Sequence, residues 1–205
     1  MQSAIGNAIE KLYEAFTNVP KPKTIAGCPC CIEGKKIDVL LSKPLREITA
    51  DELSSYAFSL FNTVGSEADF KYFLPRIWDL LVGDWFFYVD PEVILGKLSY
   101  VRWQEWEENQ RFAIENFIES AFASFVLRTT KIDCDFHHDR DSWLCASAHT
   151  GIAMEPLLKR IEQHPPAFID LYEHNSLPIA EGKLANSFWQ NIPDIHQEVI
   201  DWFKS

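Results

Sequence analysis

Apolar residues along this chain recur every three to four positions, which is the period of an amphipathic α-helix. The predicted first helix spans about Ser3 to Asn18, and the last spans about Pro193 to Lys204. The clearest helical pattern runs from about Glu107 to Arg128, with one apolar face made of Phe112, Ile114, Phe117, Ile118, Ala121, Phe122 and Phe125. Alternation with a period of two, typical of a half-buried strand, is nearly absent.

Signals for helix boundaries agree with this pattern. Thr49 followed three residues later by Glu52 predicts a capping box, and Gly65 is expected to end the helix that starts there. Pro75 either kinks one helix or separates two short ones. Three further helix starts are predicted at Ser66 with Asp69, at Asp90-Pro91 and at Pro165-Pro166.

The pattern amounts to eight to ten helices with mostly short connections. Two segments have the composition of long loops, at about 19–34 and about 130–139. We therefore predict a single all-α domain over residues 1–205, either an irregular multi-helix bundle or an α-solenoid-like helical array. A chain of 205 residues buries enough apolar surface to fold without disulfides or metals.

The charge of the chain narrows the choice of partners. It carries 30 acidic and 19 basic residues, a net charge of −11. Sequence-independent nucleic-acid binding needs a basic surface, so nucleic acid is not an expected partner. The same charge argues against an anionic membrane surface. A basic protein partner or a metal ion suits it better.

The expected location is the cytoplasm. The N-terminal stretch from Met1 to Phe16 lacks the basic head and apolar run of a signal peptide. Apolar stretches such as Trp85 to Val89 are far too short to span a bilayer. Five cysteines, an odd number in such a chain, are expected to stay reduced.

Three of these cysteines fall within four residues: Cys28, Cys30 and Cys31. Thiolates so close together could bind zinc, with a further ligand from His137 or His138 in the second long loop. Cys28 and Cys31 also have the spacing of a dithiol redox centre, and a predicted helix over Lys35 to Leu41 would lower their pKa. A third possibility is purely structural, because cysteine packs well as a small hydrophobe. The same packing argument places Cys145 in the core.

The second long loop concentrates carboxylates and imidazoles between Asp133 and Asp141. Such a loop could bind a divalent metal or supply a general base, and a metallohydrolase would use His137 and His138 in this way. The favoured interpretation is a solvated connection, because Asp is common in turns. Motifs for phosphate loops, serine hydrolases and zinc proteases are absent from the sequence, so nucleotide-dependent chemistry is not expected.

Aromatic residues cluster in the middle of the sequence. Trp103 and Trp106 are one helical turn apart and could line a groove for a partner helix. Aromatics more often fill the core between helices. The cluster as a whole comprises Trp78, Trp85, Phe86, Phe87, Tyr88, Trp103 and Trp106.

Several strings together resemble a family of uncharacterised bacterial proteins. They are Gly27-Cys28-Pro29-Cys30-Cys31, Pro44-Leu45-Arg46-Glu47-Ile48-Thr49, Asp69-Phe70-Lys71-Tyr72-Phe73-Leu74-Pro75-Arg76, Asp90-Pro91-Glu92 and Trp143-Leu144-Cys145-Ala146. The resemblance covers about residues 27–151. It implies a bacterial cytosolic helical protein and no catalytic residue.

Two functional hypotheses follow. The favoured one is a non-enzymatic interaction protein that presents an acidic, aromatic-containing surface to a basic protein, with an immunity or antitoxin-like role as one version. The alternative is a zinc-binding or thiol-redox protein that uses Cys28, Cys30 and Cys31. Whether the chain is an enzyme is left open.

Overall fold

The computed structural model describes residues 3–28, 34–83, 89–128 and 140–205, and these residues are mainly helical. The predicted all-α fold is therefore confirmed. The described residues form ten α-helices: α1 (Ala4–Ala15), α2 (Gly34–Ser42), α3 (Ala50–Ser59), α4 (Glu67–Gly83), α5 (Pro91–Leu95), α6 (Glu108–Ala121), α7 (Arg140–His149), α8 (Glu155–Glu162), α9 (Pro165–Ala180) and α10 (Pro193–Lys204). A π-helical turn, Phe122–Val126, continues α6.

Local signals in the sequence set several of these boundaries. The backbone N–H of Thr49 donates to Oε2 of Glu52 across 2.9 Å, so the predicted capping box opens α3. The N–H and hydroxyl of Ser66 both donate to Asp69 Oδ2, at 2.8 and 2.9 Å, before α4. The last helix has the predicted bounds.

Three expectations need correction or completion. The helix from Thr49 ends at Ser59, well before Gly65, because Leu60 leaves the helical conformation with ψ of 132° and Phe61 follows in a left-handed conformation with φ of 66°. Pro75 lies inside one continuous helix, α4. Phe112 is 63% exposed rather than part of the apolar face of α6. It lies two residues before the buried Ile114, roughly 160° around the helix.

The helices pack as an irregular bundle rather than a solenoid. In a solenoid each unit contacts its sequence neighbours, whereas α1 packs most extensively on α6, far along the chain. The core contains stacked ring pairs, with Trp78 and Phe117 centroids 4.5 Å apart and those of Phe125 and Trp143 4.3 Å apart. Within the described ranges, no helix is long and apolar enough to cross a membrane.

Candidate functional site

Of the residues predicted to hold a metal, the structure describes Cys28, which is half-buried. The others lie outside the described residues: Cys30, Cys31, His137 and His138. Among the described residues, no three His, Cys, Asp or Glu side chains come together as a metal site. The zinc site therefore stays a prediction.

The backbone that leads into the cysteine cluster is attached to the connection between α3 and α4. The N–H of Cys28 donates to the carbonyl of Thr63 at 2.9 Å. The N–H of Gly65 donates to the carbonyl of Ala26 at 2.7 Å. These two bonds fix the path of the chain up to the first cysteine.

Cys145 is fully buried, as its sequence context predicts. Burial, together with the nearby carboxyls of Glu92 and Asp141, strongly raises the pKa of its thiol. A thiol held in its neutral form is a poor nucleophile and a poor metal ligand. We therefore assign Cys145 to packing.

Trp103 and Trp106 belong to the core, and the alternative that they line an aromatic groove is wrong. Trp103 is 3% exposed and donates from Nε1 to the carbonyl of Thr150 at 3.0 Å. Trp106 is 7% exposed and donates to Glu67 Oε1 at 2.7 Å. The segment 85–88 lies outside the described residues.

The surface that best combines acidic and aromatic character lies on the last three helices. We call it the aromatic–acidic face and define it by Glu155, Glu162, Ile169, Tyr172, Glu198 and Trp202. On α8, the residues Glu155, Lys159 and Glu162 follow one outward stripe, because the buried side of this helix is formed by Leu157, Leu158 and Ile161. On α10, Glu198 and Trp202 are one turn apart.

The two stripes enclose a cleft of about 300 Å³. The indole Nε1 of Trp202 donates to Glu162 Oε1 at 2.7 Å, which fixes the ring at one wall. Three carboxylates against one ammonium give the cleft a negative charge. Its lining consists of Glu155, Leu158, Lys159, Glu162, Glu198 and Trp202.

Apolar side chains extend this face onto α9. Ile169 is 54% exposed and Tyr172 is 46% exposed. Phe168 connects them to the cleft, since its ring centroid lies 6.1 Å from that of Tyr172 and 5.5 Å from that of Trp202. Exposed apolar side chains that adjoin a polar rim are typical of protein–protein interaction sites.

A second cleft, of about 350 Å³, lies beside α5 and α7. Glu92 at its base is 3% exposed, and its Oε1 accepts a hydrogen bond from Asn186 Nδ2 at 2.5 Å. Burial raises the pKa of Glu92 to about 7, although hydrogen bonds from Asn186 and Ser142 oppose the shift. The lining also includes Asp90, His174 and Phe188.

A carboxyl that titrates near neutrality can serve as a general acid or base. The Oε2 atom of Glu92, however, is sealed from solvent and has no hydrogen-bond partner of good geometry among the described residues. A molecule in the cleft therefore does not reach this oxygen. We interpret Glu92 as a determinant of stability.

The aromatic–acidic face was not identified from the sequence as a site. Trp202 belongs to an apolar set at the end of the chain and is indistinguishable there from its buried neighbour Phe203. One sequence feature could have indicated this surface. The segment that forms α9 contains more apolar residues than one buried stripe requires, and Ile169, Tyr172 and Leu177 are the exposed ones.

No family model, curated protein or solved structure matches the chain. The resemblance of the sequence motifs to uncharacterised bacterial proteins thus stays an expectation.

Proposed function

We propose that this protein is a non-enzymatic helical interaction protein that binds a basic protein segment at the aromatic–acidic face. The observation that carries the proposal is the position of Trp202. Its half-buried indole lies in a cleft whose charged lining residues are three glutamates and one lysine. The indole donates a hydrogen bond to one of these glutamates, Glu162. Tryptophan and tyrosine at the centre of a charged rim are frequent interaction hot spots.

A basic amphipathic helix would complement both the negative charge and the exposed aromatic side chains of this face. Its lysines and arginines would pair with Glu155 and Glu198, and its apolar side chains would pack on Trp202 and Tyr172. Lysine and arginine also interact favourably with aromatic ring faces. Because the carboxylates lie at the surface, the attraction is expected to weaken as salt rises.

An immunity or antitoxin-like role is one version of this proposal. A protein that neutralises a basic toxin needs an acidic surface with apolar anchors, and the net charge of −11 would speed the encounter.

The proposal can be tested with a synthetic helical peptide of leucine and lysine, about four turns long. Its counterpart contains glutamate in place of lysine. We expect the lysine peptide to bind, measured by calorimetry at low and physiological salt, and the glutamate peptide not to bind. The double variant Glu155→Lys/Glu198→Lys should weaken binding by about tenfold or more.

The matched control is Asp38→Lys/Glu115→Lys, which reverses two exposed charges on α2 and α6. It changes the net charge by the same amount and leaves the proposed surface intact. Equal losses in both double variants would show that net charge alone attracts the peptide, and would overturn the proposal. Equal binding of the two peptides would also overturn it.

A second candidate function is zinc binding or thiol redox chemistry at Cys28, Cys30 and Cys31. It is supported by the attachment of the Cys28 backbone to Thr63, because a fixed chain path reduces the entropy lost when a ligand is bound. The remaining ligand would come from His137 or His138.

Elemental analysis and counting of reactive thiols, on protein purified under reducing conditions, test this candidate. Zinc with masked thiols, lost on substitution of all three cysteines by serine and kept in Cys145→Ala, would support a metal site. Fast-reacting thiols without metal would support redox chemistry. Inert thiols without metal would contradict both.

A further inference from the structure

Two histidines lie at the starts of α9 and α10, the helices that carry most of the aromatic–acidic face. His164 is the N-cap residue of α9, and His196 is the fourth residue of α10. In both, one ring nitrogen accepts a hydrogen bond from a backbone N–H group. A ring nitrogen accepts a hydrogen bond only while it carries no proton. Both bonds therefore require the neutral form of the imidazole.

His196 joins the first part of α10 to the connection that follows α9. Its Nε2 accepts from the N–H of Leu184 at 3.2 Å, and Leu184 is 5% exposed. Because Leu184 is buried, its N–H has little access to water as a substitute acceptor, and loss of the bond carries the cost of desolvation. Burial also lowers the pKa of His196. The folded arrangement thus favours the neutral ring, at a point two residues before Glu198 of the face.

His164 fixes the start of α9. Its Nδ1 accepts from the N–H of Ala167 at 3.3 Å, as an N-cap side chain does, and Ala167 is fully buried. A protonated ring cannot make this bond, and its positive charge is unfavourable at the N-terminal end of the helix dipole. The capped turn leads directly into Phe168, Ile169 and Tyr172, so the cap helps to position the apolar part of the face.

Charged groups around His196 do not stabilise its protonated form. Among the described residues, burial alone accounts for its lowered pKa. In the connection after α9, Glu181 and Lys183 pair with each other at 2.7 Å. On α10 itself, Asp194 and Glu198 lie two residues away, which places them roughly 160° around the helix. The 3-10 turn that follows the connection contains no charged residue.

The charges near His164 likewise offer its ring no ion pair. In the last turn of α8, Glu162 accepts the indole hydrogen bond described above, and Arg160 pairs with a carboxylate of α6. Lys159 in the same turn and Lys204 at the end of α10 have the sign that opposes protonation. Protonation of either histidine therefore removes a hydrogen bond without supplying a new interaction.

We propose that His164 and His196 form an acid-sensitive switch, which holds the aromatic–acidic face in its binding arrangement at neutral pH and loosens it in mild acid. When both rings take up protons, the N–H groups of Ala167 and Leu184 lose their acceptors, and the starts of α9 and α10 loosen from their neighbours. Histidine is the side chain whose ordinary titration, near pH 6.5, falls in this range. The effect on binding rests on the proposed function, whereas the change in the two helices does not.

Hydrogen exchange at the amides of Ala167 and Leu184, expressed as protection factors at pH 7.5 and 5.5, tests the switch directly. We expect the protection of both amides to fall by about fivefold at the lower pH, because the opened form binds a proton that the closed form excludes. In His196→Gln an amide oxygen can take the place of Nε2, and in His164→Asn one can take the place of Nδ1. Neither amide titrates, so each variant should keep the protection of its own N–H within about twofold.

The matched control is His174→Gln, which replaces an exposed ring on α9 that makes no hydrogen bond among the described residues. It should respond to pH as the parent does. Glu92 titrates in the same range in every variant, so differences between the variants report the histidines. Unchanged protection in the parent, or an equal loss in His164→Asn and His196→Gln, would overturn the proposal.

Calorimetry with the lysine peptide described above tests the link to binding. The affinity of the parent should be about fivefold lower at pH 5.5 than at pH 7.5, and that of His164→Asn/His196→Gln about equal at both. Equal affinities of the parent at the two pH values would overturn the regulation of the face. Absence of binding at either pH would overturn the proposed function alone, because the two amides decide the switch independently.

Discussion

The Nε atom of Arg140 lies 2.7 Å from Oδ2 of Asp170, and the arginine side chain is only 3% exposed. The same guanidinium donates to the carbonyl of Val126, at the end of the π-helical turn, and to that of Arg128. One side chain therefore joins α7, α9 and the segment after α6. Asp170 supplies a negative charge to this buried cation.

Asp170→Asn is expected to lower the free energy of unfolding by about 2 kcal/mol, because it removes the negative charge that Asp170 supplies to the buried guanidinium. Urea unfolding followed by circular dichroism at neutral pH measures the loss. Asp38→Asn, on the exposed side of α2, is the control and should change stability little. Equal stabilities of the two variants would refute the importance of the buried pair.

Glu92 predicts a pH dependence of stability. Folded protein keeps its proton up to about pH 7, whereas the unfolded chain releases it near 4.5. Between pH 4.5 and about 7 the folded state therefore binds more protons than the unfolded state, so the free energy of unfolding falls as pH rises. The total loss from this group is about 3 kcal/mol. Glu92→Gln cannot ionise. Urea unfolding between pH 5 and 8 should show a flatter profile for this variant, with a gain at the upper end; parallel profiles would contradict the assignment.

Replacing Gly65 by alanine, which adds one methyl group, is expected to lower the free energy of unfolding. Its φ is +78°, and a Cβ would lie 2.7 Å from Leu60 Cδ1 and 3.0 Å from the Tyr56 hydroxyl. Gly65→Ala is expected to cost about 3 kcal/mol, from strain and overlap together.

Alanine variants of two other glycines distinguish the cost of backbone strain from the cost of steric overlap. Gly182 has a φ of +74° but open space around it, so Gly182→Ala should cost about 1 kcal/mol. Gly83 ends α4 with neither constraint, and its substitution should be neutral or slightly stabilising. The prediction fails if thermal unfolding does not rank the three variants in this order.

Lys97 closes the end of α3. It is 4% exposed, and its Nζ donates to the carbonyls of Phe58 and Leu60 at 3.0 and 2.8 Å. Lys97→Met retains the apolar stem but leaves these carbonyls without their donor, so we expect a loss of about 2 kcal/mol in urea unfolding. Lys11→Met, on the exposed side of α1, should be close to neutral.

Helices were predictable here wherever the signal was local. The capping pair Thr49 and Glu52 and the proline at 193 mark boundaries within a few residues of themselves, and the structure confirms them. The end of α3 was not predictable, because Phe61 is a rare residue type for a left-handed conformation.

The candidate surfaces could not be predicted from the sequence, because they are formed by residues that lie far apart along the chain. Trp202 meets Glu162 across 40 residues of sequence. Hydrophobic periodicity identifies which side of a helix is buried, but not which helix covers it. Buried Arg140 was missed for the same reason, since its acceptors come from other elements.

The hydrogen bonds between Cys28 and Thr63 and between Gly65 and Ala26 attach the first residue of the cysteine cluster to the α3–α4 connection. A ligand held by the Cys28 thiol would therefore couple its own release to the opening of that connection. A ligand that binds only the closed arrangement would slow hydrogen exchange at the amides of Cys28 and Gly65 by a factor of one plus the ratio of the free ligand concentration to its Kd. Exchange at these two amides would therefore report whether the proposed cysteine site is occupied.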